Sequence, residues 1–271
     1  MNAIKRTFQK VKKQGNGALI GYITAGDPNP QATPKIADAL IRGGVDILEL
    51  GLPFSDPIAD GPTIQAASIR ALAEGTTPMR VLEIAKQIKQ QHDVPIVIMT
   101  YYNPVFRLGV EHFCGSAKDS MVDGLIVPDL PMEEASDYRK VAKQNDLDTI
   151  FLAAPSTTNL RLAKIVDASS GFLYLVSHFG VTGAKTTIED STMQLIRRVV
   201  PFTYGLIPLA VGFGISKPEH VQRVINAGAD AAIVGSAFIN ISQKNCKNIT
   251  AMLKELQATA QALKLATKIT K

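Results

Sequence analysis

Eight short apolar runs, rich in β-branched residues and spaced too far apart for hairpins, most strongly constrain how this chain can fold. Stretches with helical periodicity separate them, among them residues 35–42, 76–90, 133–143 and 218–226. Strands that alternate with helices form βαβ units with a parallel sheet, and eight such units can close into a barrel without free edges. We therefore predict an α/β fold, a (β/α)8 TIM barrel, with an open doubly wound sheet as the alternative. The predicted strands are residues 18–24, 45–50, 95–100, 124–127, 149–152, 172–176, 207–211 and 231–234.

The length of the chain fits one such barrel. With 271 residues, 46% of them hydrophobic, and with 20 glycines and 15 prolines, the sequence has the size and composition of a globular chain with a large core. We predict a single domain over residues 1–271, with a closing helix over residues 248–265. An extra N-terminal helix is predicted before the first strand, because Ile4, Phe8 and Val11 recur at helical spacing among charged residues.

Charge, cysteine content and hydropathy exclude several classes of function. The net charge of +5 comes from basic residues in separated places, and no basic run is interleaved with aromatic residues, so we predict no nucleic-acid binding. Neither Cys114 nor Cys246 has a His or Cys at ligand spacing, which argues against disulfides and against a metal site. No apolar run approaches the roughly 18 residues of a membrane span. We expect a cytoplasmic protein without a metal.

The loop after the second predicted strand carries two candidate catalytic carboxylates. Glu49 interrupts an apolar strand, where burial would raise its pKa and let it both donate and accept a proton near neutrality. Asp60 follows a turn stiffened by prolines, so both carboxylates can face one cavity. Two other interpretations stay open: Glu49 could pair with a buried Arg or Lys, and Asp60 could be the N-cap of a helix that starts near Thr63.

Glycine turns after the seventh and eighth predicted strands are candidates for phosphate binding. Gly212 and Gly214 follow one strand, Gly235 and Ser236 follow the next, and both turns precede helices. Glycine lets backbone N–H groups approach an anion, and a helix amino terminus adds a favourable dipole. Plain turns are the alternative.

Two further loops have compositions suited to substrate. Residues 177–190, after the strand that holds Tyr174, are polar and rich in small residues, as in a lid, although many surface loops look similar. Tyr101, Tyr102 and Phe106 follow the third strand, where they could sandwich a flat ligand or merely pack against helices.

Together these segments resemble the tryptophan synthase α-chain family. The match runs from the Gly26-Asp27-Pro28 turn to Gly235-Ser236, and the loop 53–65 is highly specific. The resemblance implies a lyase that cleaves indole-3-glycerol phosphate by a retro-aldol reaction into indole and glyceraldehyde 3-phosphate, the α reaction of L-tryptophan biosynthesis. A non-catalytic activating subunit and another sugar-phosphate lyase or isomerase are the alternatives; Glu49 and Asp60 argue against the first, and the specific loop argues against the second.

The resemblance also implies roles for individual residues. Glu49 is expected to donate a proton to indole C3 and to accept the glycerol hydroxyl proton, Asp60 to polarise the indole N–H, and Tyr174 to lie beside that glutamate. Thr182 is the lid threonine that would meet the loop aspartate. The expected phosphate pocket contains Gly183, Gly212, Gly214, Gly235 and Ser236. The expected indole pocket contains Tyr22, Ile64, Met99, Tyr101, Val127 and Phe213.

The family further implies a partner and no cofactor in this chain. A β subunit that carries pyridoxal phosphate is expected in an α2β2 heterotetramer, with contacts from Pro53, Ser55, Asp56 and Pro57. Three residues depart from the usual family pattern: Tyr22 stands where phenylalanine is usual, and His178-Phe179 stand where an arginine and a small residue are usual.

Overall fold

The computed structural model describes residues 2–176, 190–212 and 214–269. Within these ranges, parallel strands form one nine-stranded sheet in the order β5-β4-β3-β2-β1-β9-β8-β7-β6. The strands are β1 (Ala18–Thr24), β2 (Ile47–Gly51), β3 (Ile96–Met99), β4 (Gly124–Ile126), β5 (Asp148–Ile150), β6 (Leu152–Ala153), β7 (Leu173–Val176), β8 (Leu209–Gly212) and β9 (Ala231–Val234).

The two ends of that order belong to one stretch of chain. Only Phe151 separates β5, which pairs with β4, from β6, which pairs with β7. The predicted fifth strand is therefore split in two, and the sheet closes through it. The predicted TIM barrel is confirmed, and the open sheet is excluded.

Helices surround the barrel, as the alternating pattern predicted. They are α1 (Ala3–Lys13), α2 (Thr33–Arg42), α3 (Pro62–Ala73), α4 (Pro78–Gln91), α5 (Tyr102–Leu108), α6 (Val110–Asp119), α7 (Ser136–Gln144), α8 (Asn159–Ala168), α9 (Asp190–Thr203), α10 (Pro218–Asn226), α11 (Ser236–Lys244) and α12 (Ile249–Leu265). In the described part of the chain, no helix combines the length and the apolar character needed to cross a membrane.

Alternation along the strands sorts side chains onto two faces. In β2, Leu48 and Leu50 pack outward in the large core beneath the helices, whereas Ile47 packs in a smaller core inside the barrel. Because successive side chains point to opposite faces, Glu49 shares the inward face with Ile47. Strand register places Glu49 beside Tyr22 of β1.

The predicted N-terminal helix closes the amino end of the barrel. Ile4, Phe8 and Val11 of α1 are buried in the inner core, and the Phe8 ring lies 6.1 Å from the Phe172 ring. The Asn2 side chain accepts the Lys5 N–H at the start of α1. These residues fill the interior at this end.

The last helix packs outside the barrel wall, as predicted. At Gly43, which follows α2, an added Cβ would lie 2.5 Å from the Ala260 Cβ of α12, so the two helices need this close approach. The Lys264 Nζ donates to the Asp46 Oδ2 at 2.6 Å and to the Gly17 carbonyl at 3.2 Å. These bonds fasten α12 to the amino ends of β1 and β2.

Candidate active site

A cavity of about 840 Å³, including its mouth, opens at the carboxyl ends of the strands. Active sites of TIM barrels lie at this end. The residues that line it come from both halves of the chain: Tyr22, Glu49, Asp60, Thr63, Ile64, Met99, Tyr174, Gly214, Ile215, Ser216, Ile233, Gly235, Ser236, Ala237 and Asn240.

Glu49 is the most unusual group in this cavity. Its side chain is fully buried, and neither carboxyl oxygen has a hydrogen-bond partner among the described residues. Burial, and secondarily the negative charge of Asp60, raises the pKa of Glu49 to about 8. Among the described residues no Arg or Lys pairs with Glu49, so the alternative of a buried ion pair finds no support there. A carboxyl with such a pKa is mostly protonated at pH 7 and can act as an acid.

Asp60 reaches the cavity from the loop between β2 and α3. Gly61 is the N-cap of α3 and Pro62 occupies its first turn, so Asp60 is not the cap of this helix. Burial raises the pKa of Asp60 to about 6, while a hydrogen bond from the Tyr101 hydroxyl lowers it. Two carboxyl groups with different pKa values therefore share one cavity.

Two tyrosines from different strands lie near Glu49. Tyr22 of β1 and Tyr174 of β7 are both buried, and burial raises the pKa of each phenol. Glycines make room for them: an added Cβ would lie 2.1 Å from the Tyr22 hydroxyl at Gly51 and 2.6 Å from the Tyr174 hydroxyl at Gly212. The hydroxyl of Tyr22 lies 3.4 Å from the Thr24 Oγ1.

The part of the cavity formed at the ends of β8 and β9 has a helix amino terminus. Gly235 is the N-cap of α11 and Ser236 is its first residue, and both line the cavity. Gly214 also lines it, and this first glycine turn precedes α10, which begins at Pro218. The second glycine turn, Gly235-Ser236, lies directly at the start of a helix, so the dipole of α11 acts on it.

The structure brings most, but not all, of the predicted pocket residues together. Ile64 and Met99 line the cavity, whereas Tyr101 reaches it through its hydrogen bond to Asp60. Val127 lies elsewhere: Ile126 faces the barrel interior, so the next residue faces the outer helices, where Val127 lines a different cavity. Thr182, Gly183, Phe213, His178-Phe179 and the rest of the predicted lid up to residue 189 lie outside the described residues, and Asp190 begins α9.

Some contributors were not identified from the sequence. Thr63, Ser216 and Asn240 line the cavity, and Gly51 gives space to Tyr22. The position of Gly51 two residues after Glu49 on an alternating strand could have identified it as inward-facing. Within the described ranges, no group of three or more His, Cys, Asp or Glu side chains is placed to hold a metal ion.

The loop segment expected to contact a partner is partly exposed. Ser55 and Asp56 are exposed, and the Ser55 hydroxyl donates to the Asp56 carboxylate. Pro57 is half-buried, and Ile58, just beyond it, is 80% exposed. Pro53 is buried within this chain, which argues against the predicted direct contact through this residue.

Comparison with known proteins agrees with this geometry. Residues 8–268 match the model of the tryptophan synthase alpha chain family. The chain belongs to this family. It is 50% identical to the tryptophan synthase alpha chain of Methanosarcina barkeri over 261 residues, which cover 96% of this chain and 95% of that relative. The chain therefore is an enzyme subunit that catalyses the alpha reaction of tryptophan biosynthesis, as the sequence predicted.

Solved structures of the family share the fold. The tryptophan synthase alpha subunit of Legionella pneumophila aligns with a TM-score of 0.90 at 34% identity, over 98% of each chain. A chain from the α2β2 tryptophan synthase complex of Pyrococcus furiosus aligns with a TM-score of 0.85 at 42% identity, over 92% of this chain and 98% of that one.

Proposed function

We propose that Glu49 and Asp60 carry out the cleavage of indole-3-glycerol phosphate in the cavity at the carboxyl end of the barrel. The observation that supports this assignment is the pair of carboxyl groups with pKa values of about 8 and about 6 in one cavity. Near pH 7 the first is mostly protonated and the second mostly ionised. Different environments thus give two similar groups different roles.

The protonated Glu49 donates its proton to C3 of the indole ring, and the carboxylate of Asp60 stabilises the positive charge that develops at the ring N–H. The Glu49 carboxylate then takes the proton of the glycerol hydroxyl group. The bond between indole C3 and the glycerol carbon breaks, its electrons neutralise the ring, and the hydroxyl carbon becomes the aldehyde of glyceraldehyde 3-phosphate. Glu49 ends the cycle protonated, so no net proton is required.

In this proposal the phosphate group binds in the part of the cavity formed at the ends of β8 and β9. The α11 amino terminus supports it, because the first N–H groups of a helix have no partners within the helix and carry a favourable dipole for an anion. Gly214 and Ser216 line the same side of the cavity. Glycerol phosphate, added without a divalent ion, should occupy this position in a crystal; phosphate bound elsewhere would contradict the assignment.

The catalytic assignment is tested by two nearly isosteric substitutions. Glu49→Gln removes proton transfer and should lower kcat for indole release by about 10²-fold or more. Asp60→Asn removes the charge beside the ring nitrogen and should also be severely impaired. Glu83→Gln and Asp93→Asn, at exposed positions away from the cavity, are the matched controls. Near-normal indole production by both catalytic variants would assign the chemistry to other residues of the cavity.

We also propose that the chain assembles with a β subunit that carries pyridoxal phosphate, in an α2β2 complex in the cytoplasm, and itself uses no cofactor. Loops and helices at the carboxyl end expose the apolar side chains of Ile58, Phe106 and Leu160, at 80%, 68% and 73%. Apolar side chains and exposed Asp56 near the cavity mouth suit a partner that receives indole, which is small, neutral and apolar.

The partnership is tested by mixing the chain with its cognate β subunit and measuring sedimentation alongside indole formation. The wild type should form a complex and gain activity. Asp56→Ala should weaken both, whereas Asp93→Ala, an equally exposed acidic residue before β3, should weaken neither. If the wild type formed no complex, the proposed partnership would be wrong. If the two variants behaved alike, Asp56 would not belong to the interface.

A further inference from the structure

We propose that Tyr101 is a positioning residue, which holds Asp60 at the cavity through two hydrogen bonds of its hydroxyl group. The inference rests on the proposed role of Asp60, and it gives Tyr101 a function beyond contact with a flat ligand. The hydroxyl oxygen accepts the Ala59 N–H at 2.9 Å, and the hydroxyl proton is donated to the Asp60 carboxylate. One side chain therefore fixes both the backbone before Asp60 and the side chain of Asp60 itself.

Contacts with the barrel fix the position of Tyr101. It precedes α5 as its N-cap, directly after β3 and Thr100. The Thr100 hydroxyl donates to the Tyr101 carbonyl at 3.0 Å, and the next backbone N–H, that of Tyr102, donates to the Asp129 carboxylate at 2.9 Å. The Tyr101 residue is buried, so its hydroxyl projects from a fixed point.

The loop that carries Asp60 is held much less firmly by its own packing. Ser55, Asp56, Ile58 and Ala59 are all exposed. Exposed loop backbone has few contacts to restrict it, and a displacement of about 1 Å in a catalytic group can lower a rate by about 10²-fold. A fixed hydroxyl that bonds this loop next to its catalytic residue therefore has a large effect on how often Asp60 is in place.

Two other contacts complete the attachment. On the far side of Asp60, the Gln65 Nε2 donates to the Asp60 carbonyl at 2.8 Å. Earlier in the loop, the Phe54 ring packs on the Tyr101 ring with centroids 5.3 Å apart. Of these contacts, only that of the Tyr101 hydroxyl reaches the Asp60 carboxylate. Removing the hydroxyl therefore tests how the carboxylate is positioned without changing how the loop packs.

The same hydrogen bond favours the ionised form of Asp60, because a donor stabilises a carboxylate more than a carboxylic acid. It lowers the pKa of Asp60 against the rise caused by burial. Among the described residues, the other titratable groups that act on this pair are Tyr22 of β1, Glu49 of β2, Asp129 after β4 and Tyr174 of β7. None of these groups is a cation that would lower the pKa of Asp60, so the Tyr101 hydroxyl opposes the rise in this pKa that the surroundings cause.

Tyr101→Phe is the direct test, because it removes the hydroxyl and keeps the ring that packs on Phe54. We expect kcat/KM for indole-3-glycerol phosphate cleavage to fall by about 10- to 100-fold, the range for losing one hydrogen bond to a charged group. Activity that requires ionised Asp60 is present above its pKa and is lost as the pH falls. The variant raises that pKa, so the acidic limb of its pH profile should move to higher pH.

Tyr204→Phe is the matched control, since Tyr204 is 81% exposed in the loop between α9 and β8, at the amino end of the barrel. It should leave both the rate and the acidic limb unchanged. A Tyr101→Phe protein with wild-type thermal unfolding and an unmoved acidic limb would overturn the inference. The proposed function fails separately, through an active Asp60→Asn variant, so the two failures are distinguishable.

Discussion

The two ends of the barrel interior are built from the same alternating strands but have opposite character. At the amino end, inward side chains meet α1 in a closed apolar core that includes Ile4, Phe8 and Phe172. At the carboxyl end, inward positions of the same strands hold Glu49, Tyr22 and Tyr174 around an open cavity. One strand can therefore contribute to a core and to a reactive site, according to how far along it a residue lies.

The comparison shows at which end of the barrel the destabilising groups lie. The amino end holds large apolar side chains in contact, which stabilises the folded state. The carboxyl end holds a buried carboxyl whose oxygens have no hydrogen-bond partner among the described residues, and burying such a group is destabilising. We infer that the closed end compensates for the open one, and substitutions at the two ends should separate stability from activity.

The largest expected effect on stability comes from the closed end. Phe8→Ala removes a buried ring that packs on Phe172 and should lower the free energy of unfolding by about 3 to 5 kcal/mol. Indole formation by the folded variant should stay close to wild type, because the cavity is at the other end. Chemical denaturation and kinetics at low temperature test both statements. Phe106→Ala, at an exposed position, is the control and should change stability little.

The second effect is a pH dependence of stability that originates at the open end. Glu49 has a pKa of about 8 in the folded protein and an ordinary value of 4.5. Because the folded pKa is the higher one, the unfolded state ionises first, and stability is lost as the pH rises from about 4.5 towards 8. From pH 5 to 7 the loss from Glu49 is about 3 kcal/mol. Asp60, with a pKa raised to about 6, acts in the same direction.

Glu49→Gln isolates this contribution. The difference in unfolding free energy between the variant and the wild type should grow in favour of the variant as the pH rises from 5 to 7. Denaturant titrations at several pH values measure it. A difference that does not change with pH would mean that Glu49 titrates normally, and its assignment as an acid near neutrality would then lose its basis.

The smallest expected effect concerns a structural ion pair at the open end. The Arg70 Nε and Nη2 of α3 donate to the two carboxylate oxygens of buried Asp27 at 2.7 and 2.9 Å. Lysine cannot make this paired contact, so Arg70→Lys should lower stability by about 1 kcal/mol and change indole formation little. Arg42→Lys, in an exposed pair with Asp38, should have almost no effect. Loss of activity in Arg70→Lys without loss of stability would mean that this ion pair contributes to catalysis.

Much of the barrel follows from local pattern. The bounds of β1, β9 and α10 agree with the sequence prediction, because apolar β-branched runs and helix terminators mark them. The split of the fifth strand at Phe151 was not predicted, since it depends on how the closing sheet bends. Glu49 was identified because a charged residue within an apolar strand is destabilising, and such a residue indicates a functional role.

Other parts of the site could not be read from the sequence. Strands buried on both faces are apolar throughout, so the pattern does not show which face a residue such as Val127 occupies. The hydrogen bonds of Tyr101 join residues far apart in the sequence and exist only in the folded barrel.

The pairing of β1 with β9 has a consequence for how the chain is made. Ala18 pairs with Ala231, so more than two hundred residues of chain must be synthesised before the barrel can close. Until then β1 lacks its second neighbour and exposes unpaired backbone groups along an apolar strand, which is the kind of edge to which other chains attach. We therefore expect elongating chains on the ribosome to be prone to aggregation until the last strand emerges.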